Sequence, residues 1–184
     1  MSEVTIILFL YLFSKLSLDF IQIYTIQTVK LDKKSADLLK ISSEDDLQSR
    51  KYNIAKLNLS IIRNVIYISL IYLLLIGGLF EFINKKFELL LYSQYFTNLF
   101  TILISFIIIY LSMVPLSYYS TFIIEAKYNF NTSSRTLFIR DNLVSILMTL
   151  ILITIISSVF FLIIIYENIW WLLMSSTIFL FIIL

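Results

Sequence analysis

Residues 89–124 read LLLYSQYFTNLFTILISFIIIYLSMVPLSYYSTFII, thirty-six consecutive positions without a formal charge. As one α-helix this run measures about 54 Å at 1.5 Å per residue, against about 30 Å of bilayer hydrocarbon. Something in it must bend, tilt or lie flat. Leu89 to Tyr95 is assigned to an interfacial approach and Phe96 to Val114 to a membrane span. Pro115 marks the place where the helix kinks or ends, because proline has no N–H to donate and its ring clashes with the preceding turn.

The rest of the 184-residue chain has the same character, with 60% hydrophobic and 14% charged positions and a mean hydropathy of +0.94. Soluble proteins carry about 25% charge. Gly occurs only at Gly77 and Gly78 and Pro only at Pro115, so long helices can run with few breaks. The expected fold is all-α, a polytopic transmembrane helix bundle of about five spans with a helical loop between spans one and two. The other four spans are Val4 to Ile26, Ile61 to Ile83, Asn142 to Tyr166 and Ile169 to Leu184. Trp170 and Trp171, suited to a headgroup boundary, open the last of these. The start Met-Ser-Glu-Val has no basic region, which argues against a removable signal peptide.

The first span contains two charges, Lys15 and Asp19. Each costs about 2.5–3.5 kcal/mol near a helix centre, and the gain from each Val, Ile, Leu or Phe is about 0.3–0.6 kcal/mol. Cost and gain nearly cancel. Lys15 and Asp19 are spaced i, i+4, so they share a face, form an intramembrane pair that partly neutralises itself, and point into the bundle or a wet cavity.

Lys30 to Ser60 is the one substantial polar stretch. Within it Ser43-Glu44-Asp45-Asp46 has the pattern of an N-cap followed by acids that suit the positive end of a helix dipole. That helix continues through Tyr52, Ile54, Ala55 and Leu57 into the second span. The loops after spans one and three hold ten basic residues, Lys30 to Lys56 and Lys127 to Arg140, whereas the opposite side holds only Lys85 and Lys86. The positive-inside rule therefore places the basic loops in the cytosol and the N-terminus outside.

From Val114 the chain reads Val-Pro-Leu-Ser-Tyr-Tyr-Ser-Thr-Phe-Ile-Ile-Glu-Ala-Lys-Tyr-Asn-Phe-Asn, then Thr-Ser-Ser-Arg-Thr-Leu-Phe-Ile-Arg-Asp to Asp141. This resembles a signature of the type 1 CAAX prenyl proteases, membrane-embedded zinc metalloproteases. Pro115, Tyr118, Tyr119, Ser120, Thr121, Phe122, Ile124, Glu125, Lys127, Phe130, Asn131, Phe138 and Asp141 fall in its register. Ser133 and Ser134 stand where that family tends to carry Thr, and Asn129 stands where it carries Gly. Asn tolerates a left-handed backbone better than most residues. Tyr52, Asn53 and Lys56 resemble a weaker feature of the same family, a Tyr-x-x-x-Lys patch before the second span. The signature residues are expected to be structural or to line a chamber, with Tyr118 to Thr121 supplying hydroxyls to backbone groups freed at a kink.

The sequence contains no histidine and no cysteine. The resembled protease needs a His-Glu-x-x-His helix, in which two imidazoles hold zinc and the Glu activates water. This chain therefore carries no catalytic residue and no metal ligand of that kind, and its twelve scattered carboxylates are no substitute. Residues 1–184 are accordingly expected to form the N-terminal transmembrane domain of a CAAX prenyl protease-like protein, ending before the zinc-binding region and inactive alone. The resemblance implies zinc in the intact family, a peptide or membrane-protein substrate, a C-terminal peptidase half as partner, and a lipid bilayer around the helices. No nucleic-acid reader or phosphate-binding Gly loop is present. The alternative is an independent small polytopic membrane protein, a transporter or assembly subunit built on Lys15 and Asp19. The Ile-, Leu- and Phe-heavy spans suggest an AT-rich genome, and with it a bacterial inner membrane over an endoplasmic reticulum.

Overall fold

Apolar side chains in unbroken runs leave the backbone no hydrogen-bond partner in lipid other than itself, so helices are the local solution. The computed structural model describes residues 3–29, 42–91 and 93–165, with Trp171, Leu172, Ser175 and Phe179. It is all-helical over these residues: α1 (Glu3–Thr28), α2 (Ser43–Leu75), α3 (Leu79–Glu88), α4 (Gln94–Tyr119) continued by a π-helical segment (Ser120–Glu125), and α5 (Arg135–Ile165). Four of these stretches, Glu3–Thr28, Ser43–Leu75, Gln94–Glu125 and Arg135–Phe161, are long and apolar enough to cross a membrane. The protein is thus an integral multi-pass membrane protein. The expected fifth span, Ile169 to Leu184, lies outside the described residues apart from Trp171, Leu172, Ser175 and Phe179, all helical.

The chain divides into two units, Met1–Leu79 with Ile109–Ile139 and Phe80–Ile108 with Arg140–Leu184. In the first, α1 and α2 form an antiparallel hairpin. Ser42 caps α2: its Oγ accepts from the Asp45 N–H at 3.1 Å, while Asp45 Oδ2 accepts from the Ser42 N–H at 3.3 Å. This is a capping box one residue earlier than the expected cap at Ser43, which is the first helical residue. Arg50 then ties the hairpin end, with Nε 2.9 Å from Asp46 Oδ2 and Nη1 2.7 Å from the Ile26 carbonyl in the last turn of α1. A cation is favourable at that negative helix end.

α2 runs unbroken from its polar start into the membrane, as expected, but it ends at Leu75 and not at Ile83. The N–H groups of Ile76 and Gly77 both reach the Tyr72 carbonyl, at 2.8 and 3.0 Å, and Gly78 takes φ 77°. A Cβ on Gly77 would lie 2.8 Å from the Leu73 carbonyl oxygen. The tandem glycines therefore permit the break after which Leu79–Glu88 forms the separate helix α3.

The second unit is held by polar groups set among apolar ones. Asn84 Nδ2 of α3 donates to Asn98 Oδ1 at 3.2 Å and to Thr101 Oγ1 at 3.3 Å on α4. Phe87 stacks on Phe100 at 5.7 Å, and the Tyr95 hydroxyl lies 2.7 Å from Ser158 Oγ of α5. Thr97 and Thr101 are fully buried, and Thr101 Oγ1 donates to the Thr97 carbonyl at 2.7 Å, so the helix itself satisfies that hydroxyl.

Candidate functional site

Pro115 does not end its helix. α4 passes through it to Tyr119, and the irregularity comes downstream, where Ser120–Glu125 is π-helical. A π-turn inserts an extra residue per turn and rotates the side chains that follow it. The segment then closes on a Schellman motif. Asn129 has φ 62°, the Phe130 N–H reaches the Glu125 carbonyl at 2.9 Å, and the Asn129 N–H reaches the Ala126 carbonyl at 3.2 Å. Asn129 thus does a glycine's work in the left-handed region, which would strain a side chain lacking its tolerance by about 1–2 kcal/mol. Beyond it, Asn131 Oδ1 accepts from the Ser133 N–H at 2.8 Å, and Ser134 Oγ accepts from the Leu137 N–H at 3.2 Å to cap α5.

One face of α2 grips this corner. Gln48, Tyr52 and Lys56 recur every four residues and so project from the same side of the helix. Lys56 Nζ lies 2.6 Å from Glu125 Oε1 and 2.9 Å from Ser120 Oγ, so one ammonium spans the two ends of the π-helical segment. Ser120 is buried, while the Lys56 and Glu125 side chains are 36% and 24% exposed. Tyr52 packs edge-on against Tyr128 at 5.6 Å and tilted against Phe130 at 4.8 Å, and Gln48 Nε2 reaches the Tyr128 carbonyl at 3.5 Å. On the other flank Tyr118, Phe122 and Phe138 form a triangle of rings with centroids 4.6 to 5.7 Å apart.

Eight of the residues singled out in the sequence thus converge: Tyr52 and Lys56 with Ser120, Glu125 and Phe130, and Tyr118 with Phe122 and Phe138. Pro115, Thr121 and Asp141 take no part in the latch. Asp141 only approaches its exposed neighbour Arg140, at 3.7 Å. The Ser120 hydroxyl meets a lysine, and was expected to serve backbone freed at a kink. Tyr119 and Lys127 line an open-sided cavity of about 360 Å³ beside the latch, together with Asn58, Ile62 and Tyr128 of the same unit.

Lys15 and Asp19 do not form the expected pair. Lys15 Nζ stands 5.9 Å from the centre of the Tyr11 ring, and no ion pair joins it to Asp19 among the described residues. Asp19 Oδ2 accepts instead from Ser60 Oγ and Asn64 Nδ2 of α2, each at 3.2 Å. Neutral donors on the facing helix satisfy the carboxylate, and the cation one turn away packs on an aromatic face.

The chain has neither imidazole nor thiolate, and no three Asp, Glu, His or Cys side chains gather among the described residues. The latch is built from a lysine that meets both a serine and a glutamate. No curated protein and no solved structure matches the chain. A family model described as CAAX prenyl protease N-terminal, five membrane helices, matches residues 22–184. That range takes in Asp19's partners on α2, the whole latch and the signature corner, and the chain belongs to the CAAX prenyl protease family as its N-terminal membrane domain.

Proposed function

We propose that this chain forms a helical wall of a CAAX-type zinc metalloendopeptidase and leaves metal binding and water activation to residues outside these 184. The observation that carries the reading is the family match over residues 22–184 in a sequence without histidine. In this role the Lys56 latch holds the corner at Asn129 in place, so that the segment entering α5 presents a fixed surface to the peptidase region and its peptide substrate. The purified chain is expected to bind no stoichiometric zinc and to leave a prenylated Cys-Aaa-Aaa-Xaa peptide uncut, measured by elemental analysis and peptide mass spectrometry. Zinc-dependent cleavage by this chain alone would overturn the reading.

The ten-to-two distribution of basic residues supports an orientation with the basic loops in the cytosol and the N-terminus outside, and the Ile-, Leu- and Phe-heavy spans favour a bacterial inner membrane. The chain is free of cysteine, so single cysteines report sidedness without background. Ser133→Cys is expected to resist a membrane-impermeant maleimide in intact cells and to react after lysis, while Lys86→Cys reacts in both. The opposite pattern would refute the orientation.

A further inference from the structure

We propose that the cavity between α2 and the π-helical segment is a site for one anionic phospholipid, with the phosphate on Lys127 and the upper acyl chain along Leu59, Ile62 and Ile123. The site depends only on the membrane span and this cavity, and so stands apart from the proteolytic reading.

Its lining is mixed. Leu59, Ile62, Ile123 and Ile124 form an apolar part, and Asn58, Tyr119, Lys127 and Tyr128 bring a cation and hydrogen-bond donors. Lys127 and Tyr128 follow Ile123 and Ile124 along the chain, so the cation stands at one end of an apolar stretch, as a phosphate stands at the end of an acyl chain. Its position along the chain agrees, because the cavity sits where the charged first half of α2, Ser43 to Lys56, gives way, past Arg63 and Asn64, to the apolar run from Val65 to Leu75. That boundary is where headgroups lie.

The charge is unanswered among the described residues. Glu125, two residues before Lys127, is engaged by Lys56 at 2.6 Å. No carboxylate among the described residues pairs with Lys127, whose Nζ stands 5.8 Å from the Tyr128 ring centre. A cation on aromatic and amide neighbours at a membrane boundary attracts an anion, and the anion abundant there is a phosphodiester. At about 360 Å³ the cavity is too small for a whole lipid but sufficient for a headgroup and the first part of one chain. The remainder of the chain would follow Ile62 and Ile123, which are 51% and 48% exposed.

The test is native mass spectrometry of the full chain released from micelles doped with equal amounts of dioleoyl phosphatidylglycerol and dioleoyl phosphatidylcholine. One phosphatidylglycerol is expected to be retained in preference. Lys127→Gln should weaken its binding about tenfold, Lys127→Arg should keep most of it, and both should leave phosphatidylcholine unchanged. Ile62→Trp, which fills the apolar part, should weaken phosphatidylglycerol as well, with Ile123→Trp in its place if the first variant loses its helical circular dichroism. Lys85→Gln, in the other unit, should change nothing. Equal retention of the two lipids, or full phosphatidylglycerol binding by Lys127→Gln, would overturn the proposal. Displacement of the lipid by millimolar inorganic phosphate, with Ile62→Trp and Ile123→Trp without effect, would assign the site to free phosphate and equally overturn it.

Discussion

Lys56→Met is expected to cost the fold about 2–3 kcal/mol and to loosen the corner that follows the π-helical segment. Methionine keeps the apolar stem of lysine, so the loss is that of the ammonium alone. Two acceptors are then left without their donor: Ser120 Oγ, which is buried, and Glu125 Oε1, on a side chain 24% exposed. A fully exposed pair would be worth about 0–1 kcal/mol, and breaking a fully buried one about 3–5 kcal/mol. The partial burial here places the effect between those limits. Glu125→Leu alone should cost comparably, because it strands the ammonium, whereas Lys56→Met with Glu125→Leu should recover part of the loss, since neither charge is then left unpaired. Equilibrium unfolding in micelles across this double-mutant cycle measures the coupling. A coupling near zero would mean that the two charges are solvated independently and that the latch does not hold the corner.

The latch also shows where reading the sequence stops. The spans announced themselves through composition, and the signature from Pro115 to Asp141 through its ordered residues. Asn129 was legible as a left-handed position because it stands where the resembled family carries Gly, and its type tolerates the φ of 62° found there. No local pattern joins Lys56 to Ser120 and Glu125, which are 64 and 69 positions away. Tyr52 and Lys56 were noticed only as a weak patch of their own. The π-helical segment was invisible for a similar reason: Pro115 advertises a break, but the irregularity appears five residues later, where the side chains of Ser120 and Glu125 have a partner. Gly77 and Gly78 were counted as a scarcity of breaks, when their adjacency was itself the break. The face shared by Lys15 and Asp19 was legible, but its partner was not. The signal was nevertheless present, because Ser60 and Asn64 lie i, i+4 on the second span and form a polar face of their own.

That last contact leads to an expectation in which two measurements should move in opposite directions. Replacing Asp19 by leucine removes a charge from α1 and adds an apolar side chain, a gain of about 3–4 kcal/mol for insertion of the isolated helix. The same change removes both hydrogen bonds to α2, from Ser60 and Asn64 at 3.2 Å, each worth about 0.6 and at most about 1.7 kcal/mol in a membrane. Asp19→Leu should therefore insert α1 more completely while loosening the α1–α2 hairpin, and Asp19→Asn should retain the hairpin because its carbonyl oxygen still accepts. A translocon insertion assay reports the first effect. Bifunctional maleimide cross-linking between Leu8→Cys and Ser69→Cys, positions that line one groove between α1 and α2, reports the second. The chain's lack of native cysteine makes the cross-link specific. If Asp19→Leu inserts better and cross-links as well as the parent, apolar packing alone holds the hairpin, and the carboxylate is a cost that its neighbours on α2 merely tolerate.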